Sequence, residues 1–422
     1  MRCTAYTGSA ANNISGQTLH SALKMGRFGT ETNTTHDLHQ DWRGVTAVIV
    51  WSLEMVEIVS RRLADCSSQM LPFGGYDVVV FGDMRQFKPI GGSPLYTGAE
   101  AMQTGVVDKR LAAKPEVLAG FTLWQMFKKR IRLVKQNRIT DPQLLEIVNA
   151  AFEGRGTEDH YNTLNSLRLT YGETRRNVDD KKWWHAPVIV CRNAARAAIS
   201  LIAARDFARS HSTPLYVVKA IDKGNLQASD SGDAAHPSEL RICKGMPVII
   251  RYNIAQQLGV SNGSTGIIRH IELHAEDRIL AGLPYSDLAV ELRLRHQPQC
   301  VWVQVDNCTY KDPTHPQGWV PVVPLPLEID AKTNTKHKGQ HTLIRTQLPM
   351  VESFALTGNC VQGKTYDAET ICDLTLPLNP PDRAHVGVAL SRVRSLDQLA
   401  ILRTFPISVL QAPMPIDMWC EF

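Results

Sequence analysis

The sequence predicts an α/β fold of two parallel-sheet domains, the second interrupted by a β-rich insert. Three observations lead there. Short apolar runs at 47–51, 78–81 and 188–191 suit strands buried on both faces. Segments of helical spacing lie between and beyond them. Met55, Ile58, Val59 and Leu63 mark one over 52–63, Leu144, Leu145, Val148 and Phe152 mark another over 142–152, and an Ala-rich helix is predicted over 193–208. Residues 270–345 then change period. The alternation at 289–294 and 301–305 predicts antiparallel strands, and Pro and Val dominate 319–327. The α/β pattern returns at 354–356, 369–374 and 386–390, and 227–239 reads as a polar loop. The predicted division is 1–130 for the first domain, 131–269 and 346–422 for the two parts of the second, and 270–345 for the insert.

Composition narrows the class. The chain has 422 residues, 43% hydrophobic and 21% charged, which suits a globular protein large enough to need no disulfide or metal staple. No apolar run approaches the roughly 18 residues of a membrane span. The first residues carry no apolar signal core, so an intracellular protein is expected. Lys and Arg total 46 against 41 acids, a net +5 that permits a nucleic-acid partner without demanding one. The nine cysteines include no C-x-x-C pair, so reduced thiols are expected. Cys300 and Cys308 would make half a zinc site at best, and no metal site is expected from the sequence.

One string matches a phosphate-binding pattern. Gly358 to Thr365, GNCVQGKT, fits G-x-x-x-x-G-K-T. Such a loop cradles phosphates on consecutive backbone N–H groups at a helix N-terminus, so a helix must follow Thr365. Ile371, Leu374 and Leu376 are instead succeeded by Pro377, Pro380 and Pro381, the pattern of a strand and then a loop. The match reads better as a functional turn of another kind.

Several short strings occur together in order. They are Thr7-Gly8-Ser9-Ala10-Ala11 with Gly16-Gln17-Thr18-Leu19-His20; Pro72-Phe73-Gly74-Gly75; Gly82-Asp83 with Gln86 and Pro89; Gln136-Asn137-Arg138; Gly245-Met246-Pro247-Val248 with Asn262-Gly263; Gln347-Leu348-Pro349; Phe354 to Thr357 with Gln362-Gly363-Lys364-Thr365; and Val388-Ala389-Leu390-Ser391-Arg392. Their order resembles the PIF-type (petite integration frequency) DNA helicases of the superfamily-one five-prime to three-prime class, from residue 1 to about residue 405. The resemblance implies two RecA-like domains, the first incomplete here, with an SH3-like module inserted in the second. It implies ATP and Mg²⁺ as cofactors, single-stranded DNA as partner, a monomer without membrane contact, roles in DNA repair, recombination and telomere maintenance, and a nuclear or mitochondrial location. It further implies phosphate-sensing roles for Gln86, Arg138 and Arg392, with Gly363 beside the nucleotide, and DNA contacts at Thr7, Thr18, His20, Thr357 and Gln362. These residue types suit the chemistry. An amide can orient water, a guanidinium can fork onto phosphate, and hydroxyls and imidazole can meet phosphate or base. Asn262-Gly263 reads most simply as a tight turn. The basic run Lys128, Lys129, Arg130 and Arg132 reads as a solvated face, as do Lys332, Lys336 and Lys338. Arg175, Arg176, Lys181 and Lys182 precede Trp183-Trp184, which are expected to dock into the core.

Departures from the family pattern bear on activity. The family's P-loop precedes the Thr7-Gly8 string, and Met1 leaves no room for it. The family's Asp-Glu pair falls on Trp51 and Ser52, neither of which can hold Mg²⁺ or activate water. Glu54 is the nearest acid. On a continuing strand it would face the same way as Ser52, and on a helix start it would point elsewhere. Cys360 and Val361 stand where the family has Lys and Ser. Negligible ATPase and helicase activity is therefore expected. The alternatives are a non-catalytic remnant that binds single-stranded nucleic acid, and an unrelated P-loop enzyme built on Gly358 to Thr365.

Overall fold

The computed structural model describes residues 4–5, 17–18, 47–48, 52–67, 71–89, 92–98, 114–171, 176–223, 237–281, 291–331, 341–376, 383–415 and 418. The chain forms two compact units. One comprises Met1–Asn177, Val361–Ala368 and Leu374–Phe422, the other Val178–Cys360 and Glu369–Asp373.

The first unit begins with paired parallel strands. Strand β1 (Thr4–Ala5) lies beside β2 (Gln17–Thr18), and β3 (Ala47–Val48) pairs with β4 (Val79–Val80). Between the latter two runs α1 (Leu53–Ser67), the helix predicted at 52–63. Its start is set by Ser52, whose Oγ accepts the Met55 N–H at 3.3 Å, an N-cap bond. Leu53, Val56, Val59 and Leu63 then recur on one face and pack on Val117, Phe121 and Trp124 of α2 (Pro115–Trp124). The two helices touch through backbone. A Cβ on Gly120 would lie 1.9 Å from the Leu53 carbonyl oxygen, so only glycine fits there.

Helix α3 (Pro142–Glu153) has complete end signals. Asp141 accepts from the N–H groups of Gln143 and Leu144, Pro142 opens the first turn, and Gly154 closes the helix at φ +68°. Helix α4 (Glu158–Asn165) starts on a reciprocal cap between Thr157 and His160. The buried Arg176 donates to the carbonyls of Leu396 and Leu399, at 2.7 and 2.9 Å.

The second unit has two parts. Strand β5 (Val188–Val190) is the predicted buried run, and α5 (Asn193–Ser210) follows it as the Ala-rich segment requires. The second part is antiparallel. Strands β6 (Leu215–Lys219), β7 (Ile221–Lys223), β8 (Glu239–Ile242), β9 (Pro247–Ile250) and β10 (Thr265–Glu272) lead to the short helix α6 (Ala275–Ala281). Strands β11 (Glu291–Arg293), β12 (Cys300–Val305), β13 (Trp319–Val322), β14 (Leu325–Ala331), β15 (His341–Gln347) and β16 (Met350–Glu352) follow. One five-stranded sheet runs β13-β12-β10-β9-β16, and β14-β15-β7 form another. The core of the five-stranded sheet gathers Val248, Ile250, Ile268, Val301, Val303, Val322 and Met350. Strand β17 (Ala355–Thr357) and β18 (Thr370–Cys372) flank β5, both parallel to it. This is the parallel sheet the apolar runs predicted, and Ala204, Phe207 and Ala208 of α5 pack with Phe354 in a neighbouring cluster.

One strand direction differs from expectation. The alternation at 289–294 predicted an antiparallel strand, but β11 pairs in parallel with β6, Glu291 opposite Leu215. Alternation reports half-burial and carries no information on direction. What fixes β11 is charge: the Glu291 carboxylate receives Arg205 Nε at 2.7 Å and Arg241 Nε at 3.2 Å.

The chain returns to the first unit through α7 (Arg383–Leu390) and β19 (Leu399–Ile401). Helix α7 is buried from Ala384 onward, and a Cβ on Gly387 would meet the Phe152 ring of α3 at 2.4 Å. Among the described residues Cys191, Cys243, Cys300, Cys308, Cys360 and Cys372 are in no disulfide, and burial pushes the thiols of Cys243 and Cys300 up to about 11. Among the described residues no helix is long and apolar enough to cross a membrane.

Two outcomes test this packing. Gly120→Ala is expected to cost about 1–3 kcal/mol through overpacking against Leu53, read as a lower urea midpoint. Arg345, 2% exposed, is held by Asp222 through two 2.7 Å bonds. Asp222→Asn is expected to cost about 2 kcal/mol, less than breaking a fully buried pair because Asp222 keeps solvent contact. The Arg345 hydrogen bonds hold the Asp222 carboxyl below its ordinary value. Its contribution is therefore present above about pH 4 and lost as pH falls through the lowered folded value. Unfolding midpoints of the parent and the variant should converge on acidification.

Candidate functional site

The residues singled out in the sequence fall into three groups. Thr7 and His20 lie outside the described residues, as do Trp51, Arg175, Lys332, Lys336 and Lys338. Thr18 is in β2, its backbone beside Ala5. The remainder can be placed with their side chains.

Gln86 and Gln362, 276 positions apart, meet. Gln362 Nε2 donates to Gln86 Oε1 at 2.9 Å. Gln86 sits in the turn after β4, where its N–H donates to the Asp83 carbonyl at 3.1 Å and its Nε2 reaches Asp83 Oδ2 at 3.4 Å. Asp83 Oδ1 also accepts from Arg85 N–H and Nε, at 3.0 and 3.2 Å. A turn of acid and amide is thus cross-linked to the segment that carries Gln362.

That segment is the Gly358 to Thr365 string. A single helical turn, Gly358–Val361, is closed by Gly363 at φ +81°. The Lys364 N–H donates to the Val361 carbonyl at 3.0 Å. No helix follows Thr365, and β18 begins at Thr370. The string therefore lacks the helix N-terminus that a P-loop needs, as its prolines and β-prone residues predicted. Thr357 ends β17, and its hydroxyl donates to Cys360 Sγ at 3.4 Å. Cys360 Sγ also accepts from Arg251 at 3.3 Å.

The two candidate phosphate arginines have different surroundings. Arg392 is 1% exposed. Its Nε donates to the Val388 carbonyl at 2.7 Å, one terminal nitrogen to the carbonyls of Val361 and Lys364 at 3.1 and 2.8 Å, and the other to Ser391 Oγ at 2.6 Å. Its own carbonyl accepts the Tyr366 N–H at 2.8 Å. The guanidinium is a clamp that fixes the turn bearing Gln362. Arg138 is half-buried, and its guanidinium takes no hydrogen bond or ion pair from any described residue. Burial first, and then repulsion from Arg394, lowers its pKa, partly offset by Asp83. Its five donors are available to an anion.

The start of α1 holds Ser52 and Glu54, at and near the position that the sequence resemblance gives to the acidic pair. Ser52 is 8% exposed and spent on capping. Glu54 lies in the first helical turn, where its oxygens accept the Ser93 N–H at 2.8 and 3.0 Å and the Ser93 hydroxyl at 2.8 Å. Burial pushes its carboxyl up, but the Ser93 bonds and local backbone more than offset this, and the net shift is downward. Glu54 is an ionised anchor whose lone pairs are in use. The described residues at this position do not fit a Mg²⁺ ion, which needs an uncommitted carboxylate.

Sequence reasoning missed the clamp role of Arg392 and the anchor at Ser93. The first had no signal, because an Arg that will bind carbonyls reads like any other. The second could have been suspected from Ser52, a capping residue directly before an apolar helical period. Lys128, Lys129, Arg130 and Arg132 are exposed, as a solvated face predicts. Trp183 is buried and Trp184 is 54% exposed, so one of the two docks.

No protein-family model matches the chain. It is 23% identical over 448 residues to uncharacterized protein 030L of Invertebrate iridescent virus 6, covering 94% of this chain and 81% of that one. It is 31% identical over 105 residues to the ATP-dependent DNA helicase PIF7 of Trypanosoma brucei brucei, 21% of this chain and 10% of that protein. It is 29% identical over 181 residues to the ATP-dependent DNA helicase RRM3 of Saccharomyces cerevisiae, 39% of this chain and 22% of that protein. The matches thus span about a tenth and about a fifth of the two helicases. Among solved structures, Bacteroides Pif1 bound to ssDNA has a TM-score of 0.65 at 18% identity, covering 100% of this chain and 86% of that one. Pif1 helicase from Candida albicans has a TM-score of 0.59 at 18% identity, covering 100% and 88%. The chain resembles the Pif1 helicases over its whole length and has their fold.

Arg392→Lys keeps the charge but cannot reach three carbonyls and a hydroxyl together. It is expected to cost roughly 2–4 kcal/mol in thermal unfolding and to speed proteolytic cleavage within 361–366. A variant as stable and protease-resistant as the parent would remove the clamp.

Proposed function

We propose that this chain is a Pif1-type helicase derivative that holds single-stranded DNA on a RecA-like scaffold without turning over ATP. One observation carries the reading: the position of the acidic pair is Trp51-Ser52, with Ser52 buried as a helix cap and the nearby Glu54 consumed by Ser93. In the resembled helicases that pair holds Mg²⁺ and activates water. Losing a metal ligand and a water activator removes several kcal/mol each of transition-state stabilisation, and every 1.4 kcal/mol is about tenfold in rate. Gln86 is bonded to Gln362 and Arg392 to carbonyls, so neither supplies the missing stabilisation.

Binding has more support. A Bacteroides Pif1 with the same fold was solved with ADP-AlF3 and ssDNA, and another with ssDNA alone. Thr7, Thr18, His20, Thr357 and Gln362 stand at this chain's counterparts of the DNA-facing strings. Arg138, whose guanidinium has no hydrogen-bond partner among the described residues, is taken to meet phosphate as well. Contacts of this kind position a strand through its backbone without reading its sequence. Roles in repair or recombination, and a nuclear or mitochondrial site, belong to the same proposal.

Two measurements decide it. ATP hydrolysis by the purified chain should stay at background with and without single-stranded DNA, and Glu54→Gln should lower stability while leaving that background unchanged. Robust DNA-stimulated turnover overturns the inactivity. Single-stranded DNA affinity should fall linearly in log–log terms as salt rises, and Arg138→Ala should weaken it. Undetectable or salt-independent binding overturns the DNA role.

A further inference from the structure

The excursion between β10 and β12 leaves and returns at one point. Glu272 stands opposite Cys300, and the Gln299 N–H donates to the Glu272 carbonyl at 2.8 Å. His274 lies two residues beyond β10, Glu276 and Asp277 lie in the first turn of α6, and His296 lies on the returning arm. Asp277 is fully buried, and its two oxygens accept the N–H groups of Arg295 and His296 at 3.0 and 2.9 Å. Those bonds draw the returning arm onto the helix and stack the His274 and His296 rings with centroids 4.1 Å apart.

We propose that His274, Glu276 and His296 form a binding site for a zinc-type divalent transition-metal ion. One ligand atom from each lies within 4.8 Å of the others. His296 Nε2 and Glu276 Oε2 are 3.8 Å apart. That is too long for a hydrogen bond and near the roughly 3.3 Å that separates two ligands on one tetrahedral ion with bonds of about 2.0–2.1 Å. The exposed Glu276 can close the difference by side-chain rotation. The other nitrogen of His296, Nδ1, lies 3.3 Å from Asp277 Oδ2. A carboxylate behind a ligating imidazole is the outer-shell partner that orients such rings. Two nitrogens and one carboxylate suit zinc better than magnesium or calcium, and they leave a fourth position for water. The spacing His-x-Glu with a second His 20 positions later is the sequence signal. A search confined to cysteine pairs overlooks it.

This site stands apart from the nucleotide and DNA reading. Its test is titration of the chelator-stripped full chain with Zn²⁺ alone, followed by calorimetry. The parent should bind one ion at these ligands. Glu276→Gln should weaken binding about tenfold, and because the Glu276 side chain is exposed and only its backbone N–H bonds His274, that variant keeps its fold. Asp277→Asn should weaken it 10–100-fold. The double variant His274→Ala/His296→Ala should lose the stoichiometric isotherm, whereas binding at thiols would survive it. Absence of stoichiometric binding to the parent at 100-fold excess over the chain, or parent-like binding by Glu276→Gln and the double variant, overturns the site.

Discussion

The first turn of α1 is where sequence, packing and chemistry are tied together. Ser52 stops the strand direction and starts a helix, because its hydroxyl satisfies an N–H that the helix cannot. Once the helix begins there, Leu53 is placed against the α2 backbone at Gly120, and Glu54 is turned toward Ser93. The Leu53 N–H and the Glu54 carboxylate both bond Ser93, so the loop before Leu95 is pinned to the helix start. Ser52 and Glu54 therefore stabilise the unit through their own side chains. A carboxylate with its lone pairs filled by backbone N–H and hydroxyl is a good anchor for the reason that it is a poor base: its proton affinity is lowered and its oxygens are taken.

Buried arginines recur as fasteners. Arg176 and Arg392 direct their guanidinium groups at main-chain carbonyls, and Arg345 is forked onto Asp222. A guanidinium has five donors in a rigid plane and sheds water more readily than an ammonium, so it can be buried among carbonyls without a full counter-charge. Each fastens one segment to another that is distant in sequence. For Arg392 that segment is the turn closed by Gly363, and fixing it is what allows Gln362 to meet Gln86 across 276 positions.

The helices were the most legible part of the sequence. The periods at Met55 to Leu63, at Leu144 to Phe152 and in the Ala-rich stretch all became helices, because an amphipathic stripe with end signals has few alternatives. The buried parallel run at Val188 was equally readable from its unbroken apolar character. Strand direction was not, as Glu291 to Arg293 illustrates, since a two-residue period is the same in both directions. Of the candidate site, identity was readable from ordered strings, but commitment was not. Nothing in Ser391-Arg392 distinguishes a guanidinium held by carbonyls from one left open like Arg138. That difference depends on burial and on carbonyls from Val361 and Lys364, which lie about 30 positions away.

The stabilising interactions of this chain are independent of any nucleotide. Among the described residues its cores are apolar clusters around α1 and α2 and around β9, β10 and β12, and α1, α3 and α4 start on side-chain caps from Ser52, Asp141 and Thr157. None of these terms requires phosphate or metal to be bound. Where the resemblance sets an acid of the family's pair, Ser52 caps α1 better than a glutamate would, so the residue present there favours folding. On the proposed reading, a scaffold held by these terms keeps its fold whatever happens to the acidic pair, and a surface that positions a nucleic-acid strand asks only for hydroxyls, amides and a guanidinium, none of which the cores need.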